Sequence, residues 1–399
     1  MGKITKALTI LCNRFAPAYK NTVLFDAFGG QYNDNPKRIE KALHEKDSSI
    51  RIVWVKSWKS KEQFPEYAKT VEHDSKEYYK YLLRSQVVVD NHVGLRSTFV
   101  QSGNFKEKLR GFFTKKRKNQ LCISTWHGTP LKRIAGDELN SPMKGYKTCS
   151  DYVVAGCDLT KNALQSAFFH AVPIKKYGTP RNDVLINGKG DIDALKEKLG
   201  LPKGYKIILF APTFRKDVEN SGVLQMRVID FEKLLQSLRK RFGGEWCFVF
   251  RVHQNVLKEI NVKEISEKYG ERVINGNLHD DMAEYLLCTD ILITDYSGSL
   301  FDFALTKRPC YLFTLDREHY EKEERGFYLP YGELPFLKAD SPQELYEKIE
   351  NFEESSYQQG LESLLKEIGN VEDGKASQRV ADDIYAFIRK KKSKREIIK

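Results

Sequence analysis

The sequence predicts an α/β fold with two Rossmann-like domains, each a doubly wound parallel sheet, facing a central cleft. Short runs rich in Val, Ile and Phe alternate with segments of helical periodicity, the pattern of parallel sheets covered by helices on both faces. Two such series occur, one before and one after residues 185–204. That stretch contains four Gly and one Pro, which favour turns and end helices, so it marks the domain boundary.

The apolar runs are predicted to be strands and the segments between them helices. In chain order the predicted strands are 7–12, 23–27, 50–55, 86–90, 121–124, 152–155, 206–210, 247–251, 291–294 and 310–313. The predicted helices are 36–44, 76–83, 159–168, 231–241, 282–287, 299–305, 342–352 and 375–388. We therefore expect an amino-terminal domain over 1–185, a second domain over 186–374, and a last helix with a basic tail over 375–399.

Charge is spread unevenly along the 399 residues, whose formal net charge is +12. Residues 1–120 hold 24 Lys and Arg against 12 Asp and Glu, and 389–399 hold 7 against 1, so the remainder carries a net −6. This polarity disfavours a uniformly basic nucleic-acid coat and favours an anionic partner for the amino-terminal part. With 41% hydrophobic residues, the chain has enough apolar material to form cores.

The seven cysteines are odd in number, widely spaced and without a CxxC pair. This disfavours a disulfide framework and a zinc site, and it favours a reducing compartment. No apolar run approaches the ~20 residues of a transmembrane helix. The run at 7–12 also lacks the length and cleavage-site residues of a signal peptide, so any membrane contact is expected to be peripheral.

The first chemical motif is Trp-His-Gly-Thr-Pro at 126–130, directly after the strand predicted at 121–124. Ligands of doubly wound sheets bind beyond the carboxyl ends of strands, so His127 is expected at the cleft. An imidazole there can act as a general base because its ordinary pKa lies near neutral pH. A structural histidine that closes a turn would show the same pattern, and both interpretations stand at this point.

The second motif is Arg251-Val252-His253, after the strand predicted at 247–251. Alternate residues of an extended segment share a face, so the guanidinium and the imidazole are expected side by side. Such a pair suits a phosphate oxygen through charge-assisted hydrogen bonds. The alternative is an exposed strand end with a solvated arginine.

The third motif is Thr-Asp-Tyr-Ser-Gly-Ser at 294–299, between a predicted strand and a predicted helix. Such a turn exposes backbone N–H groups to anions, and the hydroxyls of Ser297 and Ser299 add donors. An ordinary helix cap, with Ser299 and Asp302 three residues apart, fits the same letters. The chain contains neither GxxxxGK[ST] nor GxGxxG, which disfavours P-loop and NAD chemistry.

Three further turns are weaker candidates. Thr213 and Arg215 lie in an Ala-Pro-Thr-Phe-Arg turn after a predicted strand, and Arg181 lies in a Gly-Thr-Pro-Arg-Asn-Asp loop. Gln31 and Tyr32 follow another predicted strand near the amino terminus. A plain turn explains each of these segments at least as well as a binding site.

A basic and aromatic surface is predicted around residues 106–118. Its members include Phe112, Phe113, Lys115, Lys116, Arg117 and Lys118. Cations beside aromatic rings suit an anionic membrane surface, where each charge contributes ~1 kcal/mol. RNA binding or a solvated loop would use the same residues.

In their order along the chain, these motifs resemble the CDP-glycerol:glycerophosphate glycerophosphotransferases of wall teichoic acid synthesis. The matching segments are 31–36, 126–130, 178–183, 211–215, 251–253, 294–304, 308–309 and 325–328. The resemblance runs from about residue 22 to about 385, and the length is similar to that of the short, primase-type members. Two letters depart from the family pattern: Gln254 stands where the family commonly has Pro, and Gly298 where it commonly has Ser.

The resemblance implies the GT-B architecture and transfer of glycerol phosphate from CDP-glycerol to a lipid-linked saccharide or glycerophosphate acceptor, with release of CMP. It implies His127 and His253 as the catalytic histidines. The residues implied for donor and phosphate binding are Arg251, Thr213, Arg215, Thr294, Asp295, Ser297, Gly298, Ser299, Asp302 and Arg181. Those implied for the acceptor side are Gln31, Tyr32, Trp126, Gly128 and Thr129. No metal ligand set is expected, although Mg²⁺ can accompany the donor diphosphate.

Several alternatives stay open. An enzyme of the same architecture could use CDP-ribitol or a nucleotide sugar as its donor. Outside the enzymes, the alternative is a basic scaffold protein that binds a membrane or RNA. The scaffold leaves both histidine motifs unexplained, so no nucleic-acid partner is expected. In GT-B enzymes of this kind the first domain receives the acceptor, so residues 1–120 and the basic tail are expected to face the cytoplasmic surface of the cell membrane.

Overall fold

The computed structural model describes most of the chain as two compact units. The described residues are 3–58, 60–92, 98–99, 116–138, 146–147, 150–168, 171–188, 190–213, 222–253, 257–258, 260–317, 320 and 326–396. The first unit comprises 1–128, 135–183 and 371–399, and the second comprises 129–134 and 184–370. The chain therefore enters most of the second unit at Val184 and returns to the first at Val371, whereas the sequence placed these boundaries at 185/186 and 374/375.

The first unit contains a seven-stranded sheet of order β3-β2-β1-β4-β6-β8-β9 in which all neighbours are parallel. Its strands are β1 (Tyr19–Asp26), β2 (Arg51–Lys56), β3 (Lys69–Glu72), β4 (Ser85–Asp90), β6 (Leu121–Ser124), β8 (Tyr152–Ala155) and β9 (Ile174–Lys176). Two further strands, β5 (Thr98–Phe99) and β7 (Tyr146–Lys147), form an antiparallel pair. The central strands are continuously buried, as the apolar runs predicted.

Helices cover this sheet. They are α1 (Lys3–Phe15), α2 (Asp34–Lys46), α3 (Lys76–Arg84), α4 (Asp158–Ala167) and α14 (Ala376–Glu396), with a short 3₁₀ turn at Pro180–Asn182 and another at Ala135–Asp137. In α14, Val380, Ile384 and Ile388 recur every four residues and therefore share one face. That face is buried in the same core as Ile39 and Leu43 of α2, so the last helix completes the first unit.

The first predicted strand, 7–12, is wrong, because these residues belong to α1. The segment from Lys3 to Phe15 holds no Gly or Pro, and the first breaker after it is Pro17. Ile10 packs against the core beside α3, while Leu8 and Leu11 stay exposed. A one-sided burial of this kind suits a surface helix and not a central strand, and the central position in the sheet is taken by β1.

The second unit contains a six-stranded parallel sheet of order β12-β11-β10-β13-β14-β15. Its strands are β10 (Lys206–Phe210), β11 (Trp246–Phe250), β12 (Val273–Asn275), β13 (Ile291–Thr294), β14 (Cys310–Phe313) and β15 (Leu337–Ala339). The chain's helices from residue 183 to 367 are α5 (Asp183–Asn187), α6 (Ile192–Lys198), α7 (Gly222–Val228), α8 (Phe231–Phe242), α9 (Val262–Tyr269), α10 (Met282–Cys288), α11 (Ser299–Ala304), α12 (Pro342–Glu350) and α13 (Glu354–Glu367). The described parts of both units thus confirm the predicted class of parallel α/β sheets.

A short segment of the amino-terminal half, 129–134, belongs to the second unit. The N–H of Arg133 donates to the carbonyl of Gly326 at 3.0 Å, and the N–H of Tyr328 donates to the carbonyl of Leu131 at 2.9 Å. These two bonds pair the segment with residues 326–328. Thr129, predicted in the first domain, therefore lies in the second unit.

Candidate active site

His127 lies just beyond the carboxyl end of β6, as predicted from its position after the apolar run 121–124. Its Nδ1 is 2.9 Å from the carbonyl oxygen of Asn91, which follows the neighbouring strand β4. A carbonyl oxygen can only accept a hydrogen bond, so Nδ1 carries the ring proton and donates it. Nε2 of the neutral ring is then left with a lone pair, which is the form that a general base requires.

The surroundings of His127 keep the ring neutral. The Trp126 ring stacks on it with centroids 4.0 Å apart. Burial lowers the pKa of His127 to about 4, although its bond to the Asn91 carbonyl and the charge of Asp34 oppose that shift. The imidazole is therefore unprotonated at neutral pH and able to accept a proton.

Asn35 fixes the backbone on either side of this site. It is fully buried, and its Nδ2 donates to the carbonyls of Thr125 and Trp126 at 3.2 and 2.9 Å. Its Oδ1 accepts from the N–H of Arg181 at 2.8 Å. One amide side chain at the start of α2 thus holds two loops that are distant in sequence.

Arg181 lies in the first unit beside His127, whereas the sequence grouped it with the donor residues of the second domain. Its Nη1 is 2.7 Å from Oδ2 of Asp34, and the two side chains are only 14% and 8% exposed. Gly128 has a φ of +107°, and a Cβ there would overlap the Arg181 guanidinium. The turn that carries Arg181 is held by Glu372, whose two oxygens accept from the N–H of Thr179 at 2.9 and 2.8 Å.

The two residues predicted on the acceptor side near the amino terminus serve the structure. Tyr32 is buried, donates its hydroxyl to Glu40 at 2.9 Å and packs edge-on against Trp54. Gln31 accepts from Nδ2 of Asn33 at 3.0 Å. Tyr32 is therefore a core residue, and its part in acceptor binding stays a prediction.

Sequence reasoning missed His92, which lies close to His127. The ring centroids are 5.9 Å apart, and His92 follows β4 just as His127 follows β6. His127 was selected because it follows a predicted strand. The same reasoning would have selected His92, because Asn91 and His92 come directly after the strand predicted at 86–90.

In the second unit, Arg251 holds a neighbouring turn. Its Nη1 donates to the carbonyls of Gly276 and His279 at 2.7 and 2.5 Å, and its Nη2 donates to the carbonyl of Asp280 at 2.8 Å. The guanidinium also lies over the Tyr285 ring, 5.0 Å from its centroid. The Arg251 guanidinium thus donates three hydrogen bonds to the 276–280 turn and not to a phosphate.

His253 is exposed at the carboxyl end of β11. The segment that carries it is fixed through Val252, which exchanges hydrogen bonds with the Asn277 side chain. The carbonyl of His253 accepts from the N–H of Leu257 at 3.0 Å. Its imidazole is thus presented at the surface on a fixed backbone.

Thr294 and Asp295 are fully buried and tie two strand-end turns together. The Asp295 carboxylate accepts from the N–H of Thr213 at 2.8 and 3.0 Å and from the N–H of Tyr296 at 2.5 Å. Thr294 Oγ1 donates to the carbonyl of Ala211 at 2.6 Å. Both side chains face the protein interior, so direct donor binding by Thr294 and Asp295 is not what the structure supports.

The turn before α11 keeps part of its surface open. Ser299 Oγ is 2.9 Å from Ser297 Oγ, and both residues are half-buried. A Cβ on Gly298 would lie 2.5 Å from the carbonyl oxygen of Thr129, which explains a glycine at that place. Asp302 is buried one turn further along.

Several predicted residues lie outside the described residues: Phe112, Phe113, Lys115, Arg215 and Gln254. Of the basic run, Lys116 forms an ion pair with Asp151 at 2.5 Å and Lys118 is exposed. Arg117 donates to the carbonyl of Asn13 in α1 at 2.5 Å. The described half of this run is therefore anchored in part to the first unit.

Neither a metal site nor a membrane span is found among the described residues. Among them, no group of three or more His, Cys, Asp and Glu is arranged to hold a metal ion. In the same part of the chain, no helix has the length and apolarity required to cross a membrane.

Two parallel-sheet units with polar residues beyond the ends of their strands are typical of a GT-B-like fold. Residues 8–386 match the family model described as CDP-Glycerol:Poly(glycerophosphate) glycerophosphotransferase. The chain therefore belongs to the CDP-glycerol:poly(glycerophosphate) glycerophosphotransferase family, which confirms the resemblance of its motifs.

Individual relatives agree. The teichoic acid poly(glycerol phosphate) polymerase of Staphylococcus epidermidis is 30% identical over 391 residues, which are 92% of this chain and 51% of the polymerase. The teichoic acid glycerol-phosphate transferase of Staphylococcus aureus is 28% identical over 92% of this chain and 93% of the transferase. The chain thus spans about half of the first relative and nearly all of the second.

Solved structures agree on the fold. A structure of the wall teichoic acid polymerase TagF superposes with a TM-score of 0.80 at 28% identity, covering 97% of this chain and 95% of that chain. A second TagF structure, obtained after a soak with CDPG, gives a TM-score of 0.79 at 29% identity over 97% of this chain and 93% of that chain. The predicted GT-B-like class is confirmed.

Proposed function

We propose that this chain transfers glycerol phosphate from CDP-glycerol to a hydroxyl group of a lipid-linked acceptor and releases CMP. The observation that carries the proposal is the state of His127, a neutral imidazole at a strand end whose Nδ1 donates to a carbonyl. Family membership supports the donor class. Relatives named teichoic acid polymerase, transferase and primase support a growing cell-surface polymer as the acceptor.

In the proposed reaction the acceptor oxygen attacks the phosphorus that carries glycerol, and the P–O bond to CMP breaks. His127 Nε2 takes the proton of the attacking hydroxyl, and CMP leaves with the electron pair of the broken bond. Negative charge grows on the phosphoryl oxygens during this step, so positioned hydrogen-bond donors lower its barrier. Mg²⁺ that accompanies the donor diphosphate would neutralise part of that charge.

We assign donor binding to the second unit. His253 and the hydroxyls of Ser297 and Ser299 are the groups proposed to meet the diphosphate, because all three keep surface open at strand ends. Asp295 holds the turn that leads to Ser297 and Ser299. Arg251 holds the 276–280 turn, whose Asn277 side chain fixes the segment that carries His253. The donor site is thus a rigid frame of buried polar residues that presents a few exposed donors.

The polyol of the donor is the open choice. A teichoic acid poly(ribitol-phosphate) polymerase of Bacillus spizizenii is 28% identical over 280 residues, so CDP-ribitol is the alternative. The deciding experiment is a nucleotide-release assay with CDP-glycerol, CDP-ribitol and UDP-sugars, each with a lipid-linked glycerophosphate acceptor, in which the CDP-alcohols would release CMP and the UDP-sugars UDP. We expect CMP only with CDP-glycerol; release from CDP-ribitol alone would change the donor, and release from none would contradict the proposed reaction.

We also propose that the first unit binds the anionic surface of the cytoplasmic membrane through α1. Leu8, Leu11 and Phe15 are 57%, 42% and 75% exposed, and their spacing of three and four residues places them on one face of the helix. An amphipathic helix with apolar residues on its outer face is the usual element of interfacial binding. This face is the part of the described surface that suits insertion between lipid headgroups.

Cations lie next to this face. Burial lowers the pKa of Arg117, and the positive charges of Arg14 and Arg84 lower it further, so the Arg117 guanidinium is close enough to both to be repelled by them. Arg117 is bonded to α1, and Arg84 donates to the carbonyl of Pro17 at 2.8 Å. Mutual repulsion of this kind is relieved by anionic headgroups.

Vesicle sedimentation tests the membrane proposal. The combined variant Leu8→Ser, Leu11→Ser and Phe15→Ser should lose at least tenfold in binding to vesicles that contain anionic phospholipid, because each lost apolar contact is worth ~1 kcal/mol or more. Leu278→Ser, at a residue of the second unit that is 63% exposed, is the matched control and should bind like the unaltered chain. Equal binding to neutral and anionic vesicles would contradict the role of the arginines.

A further inference from the structure

His92 and His127 form one cluster of rings with Phe28. The two imidazole centroids are 5.9 Å apart, with planes at 66°. The Phe28 ring lies 5.4 Å from His92 and 5.7 Å from His127. The N–H of Phe28 donates to Oδ1 of Asn91 at 3.0 Å, which holds the phenyl ring against both histidines.

The backbone of His92 is fixed from two sides. Its N–H donates to Oδ1 of Asp90 at 2.9 Å, and its carbonyl accepts from the hydroxyl of Ser124 at the end of β6. The carbonyl of Asn91, one residue earlier, accepts from Nδ1 of His127. A single two-residue segment therefore sets the positions of both imidazoles.

The His92 side chain is placed to meet a ligand. The residue is exposed, whereas His127 is half-buried. Within the described part of the chain, its ring packs against Phe28 and His127, neither of which engages the His92 ring nitrogens in a hydrogen bond. Burial lowers the pKa of His92, and the carboxylate of Asp34 in α2, which is paired with Arg181, opposes that shift.

We propose that His92 binds the acceptor, by a hydrogen bond from its ring to an oxygen next to the hydroxyl that His127 deprotonates. The inference rests on the proposed function, since it takes His127 as the base. An imidazole nitrogen bonds an oxygen at about 2.8 Å, so two rings at this separation can hold two neighbouring oxygens of one polyol. The ligand class is a polyol or polyol phosphate end, and His92 selects which of its hydroxyls reaches His127.

The test measures KM for acceptor and for CDP-glycerol separately, in the full chain. His92→Phe keeps the ring that packs on Phe28 and removes both nitrogens, so acceptor KM should rise about five- to tenfold, the effect of one hydrogen bond. The KM for CDP-glycerol should stay within twofold. His92→Asn, which keeps a hydrogen-bonding group, should recover part of the loss.

His73→Phe is the matched control, because His73 is another ring of the first unit that packs on an aromatic neighbour, Tyr78. It should leave both KM values unchanged. An unchanged acceptor KM in His92→Phe, or equal rises in both KM values, would overturn the inference. If His92→Phe contradicts the inference while His127→Ala is inactive, the proposed function stands and only the role of His92 is removed. A fully active His127→Ala would instead contradict the role of His127 as the base.

Discussion

At the carboxyl edge of the first sheet, His127 keeps one ring nitrogen open and His92 stays exposed beside it. At the carboxyl edge of the second sheet, the side chains of Arg251, Thr294 and Asp295 bond to backbone groups of neighbouring turns. Both edges carry polar residues after apolar strands, at the place where ligands of doubly wound sheets bind. The difference is that the first edge leaves chemistry-bearing atoms available, whereas the second uses most of them as structure.

Two buried carboxylates, one at each edge, differ in how well the protein stabilises their charge. Asp295 accepts two backbone N–H groups, which satisfy its charge inside the second unit. Asp26 lies at the end of β1 opposite Asp90, and burial together with the Asp90 charge raises the pKa of Asp26 to about 7, against the amides of Gly29 and Gly30. A polar residue at a strand end therefore has to be judged by what its atoms already bind.

The largest expected effect concerns the first edge. His127→Ala should lower kcat by about 10²–10⁴, the usual contribution of a general base, while the KM for CDP-glycerol stays within threefold. Since burial lowers the pKa of His127 to about 4, kcat/KM should be flat between pH 5.5 and 8 and fall only as the ring protonates below that range. Steady-state CMP release measures both, with His73→Ala as the control.

Asp26→Asn should change stability in a pH-dependent way. The unfolded chain ionises Asp26 near its ordinary pKa of 3.8, whereas the folded chain does so only at a pKa of about 7. Ionisation thus favours unfolding, and its cost grows as pH rises from 4 and is complete above pH 7. The Asn variant should gain up to about 4 kcal/mol in the free energy of unfolding at pH 8 and little at pH 4.

Urea unfolding at the two pH values measures this difference. Asp193→Asn, at an exposed residue, is the control and should show no such change between pH 4 and pH 8. Identical pH dependence in Asp26→Asn and the unaltered chain would mean that Asp26 is not the strained carboxyl of the first edge.

The second edge should respond in stability before activity. Asp295→Ala leaves the N–H groups of Thr213 and Tyr296 without their acceptor, so the free energy of unfolding should fall by about 2–4 kcal/mol. Ser297→Ala, in the same turn, should cost under about 1 kcal/mol and instead raise the KM for CDP-glycerol. Denaturation midpoints and donor KM together separate the two roles; a stable Asp295→Ala would contradict the structural assignment.

The central strands were predictable because burial on both faces demands continuous apolar runs. The strands β6, β8, β10, β13 and β14 have the predicted bounds. The strands missed in the two large sheets are β3, β9, β12 and β15, which form the four edges. Edge strands of three or four residues are half-exposed, so they contain few apolar residues and are hard to recognise in the sequence.

The candidate site was predictable only where one residue's position in the chain decides its role. His127 follows a strand and needed no partner to be found. His92 also follows a strand and could have been found in the same way. Asn35 and the pairing of Arg181 with Asp34 depend on loops that meet in space from distant parts of the sequence. Tyr32 is a different case, because its hydroxyl donates to Glu40 inside the core and its position after a predicted strand does not reveal that contact.

The smallest expected effect tests the turn in which this chain departs from its family. Gly298→Ser restores the common family residue, yet its Cβ would lie 2.5 Å from the carbonyl oxygen of Thr129, so the turn or the 129–134 segment has to move. We expect a loss of about 1–2 kcal/mol in the free energy of unfolding and a modest rise in the KM for CDP-glycerol. Gly190→Ser, where a Cβ meets nothing within 4 Å, is the matched control and should stay within about 0.5 kcal/mol. A Gly298→Ser variant as stable as this control would show that the close packing of Thr129 does not shape the second edge, and the contrast between an open first edge and a structural second edge would then rest on Arg251 and Asp295 alone.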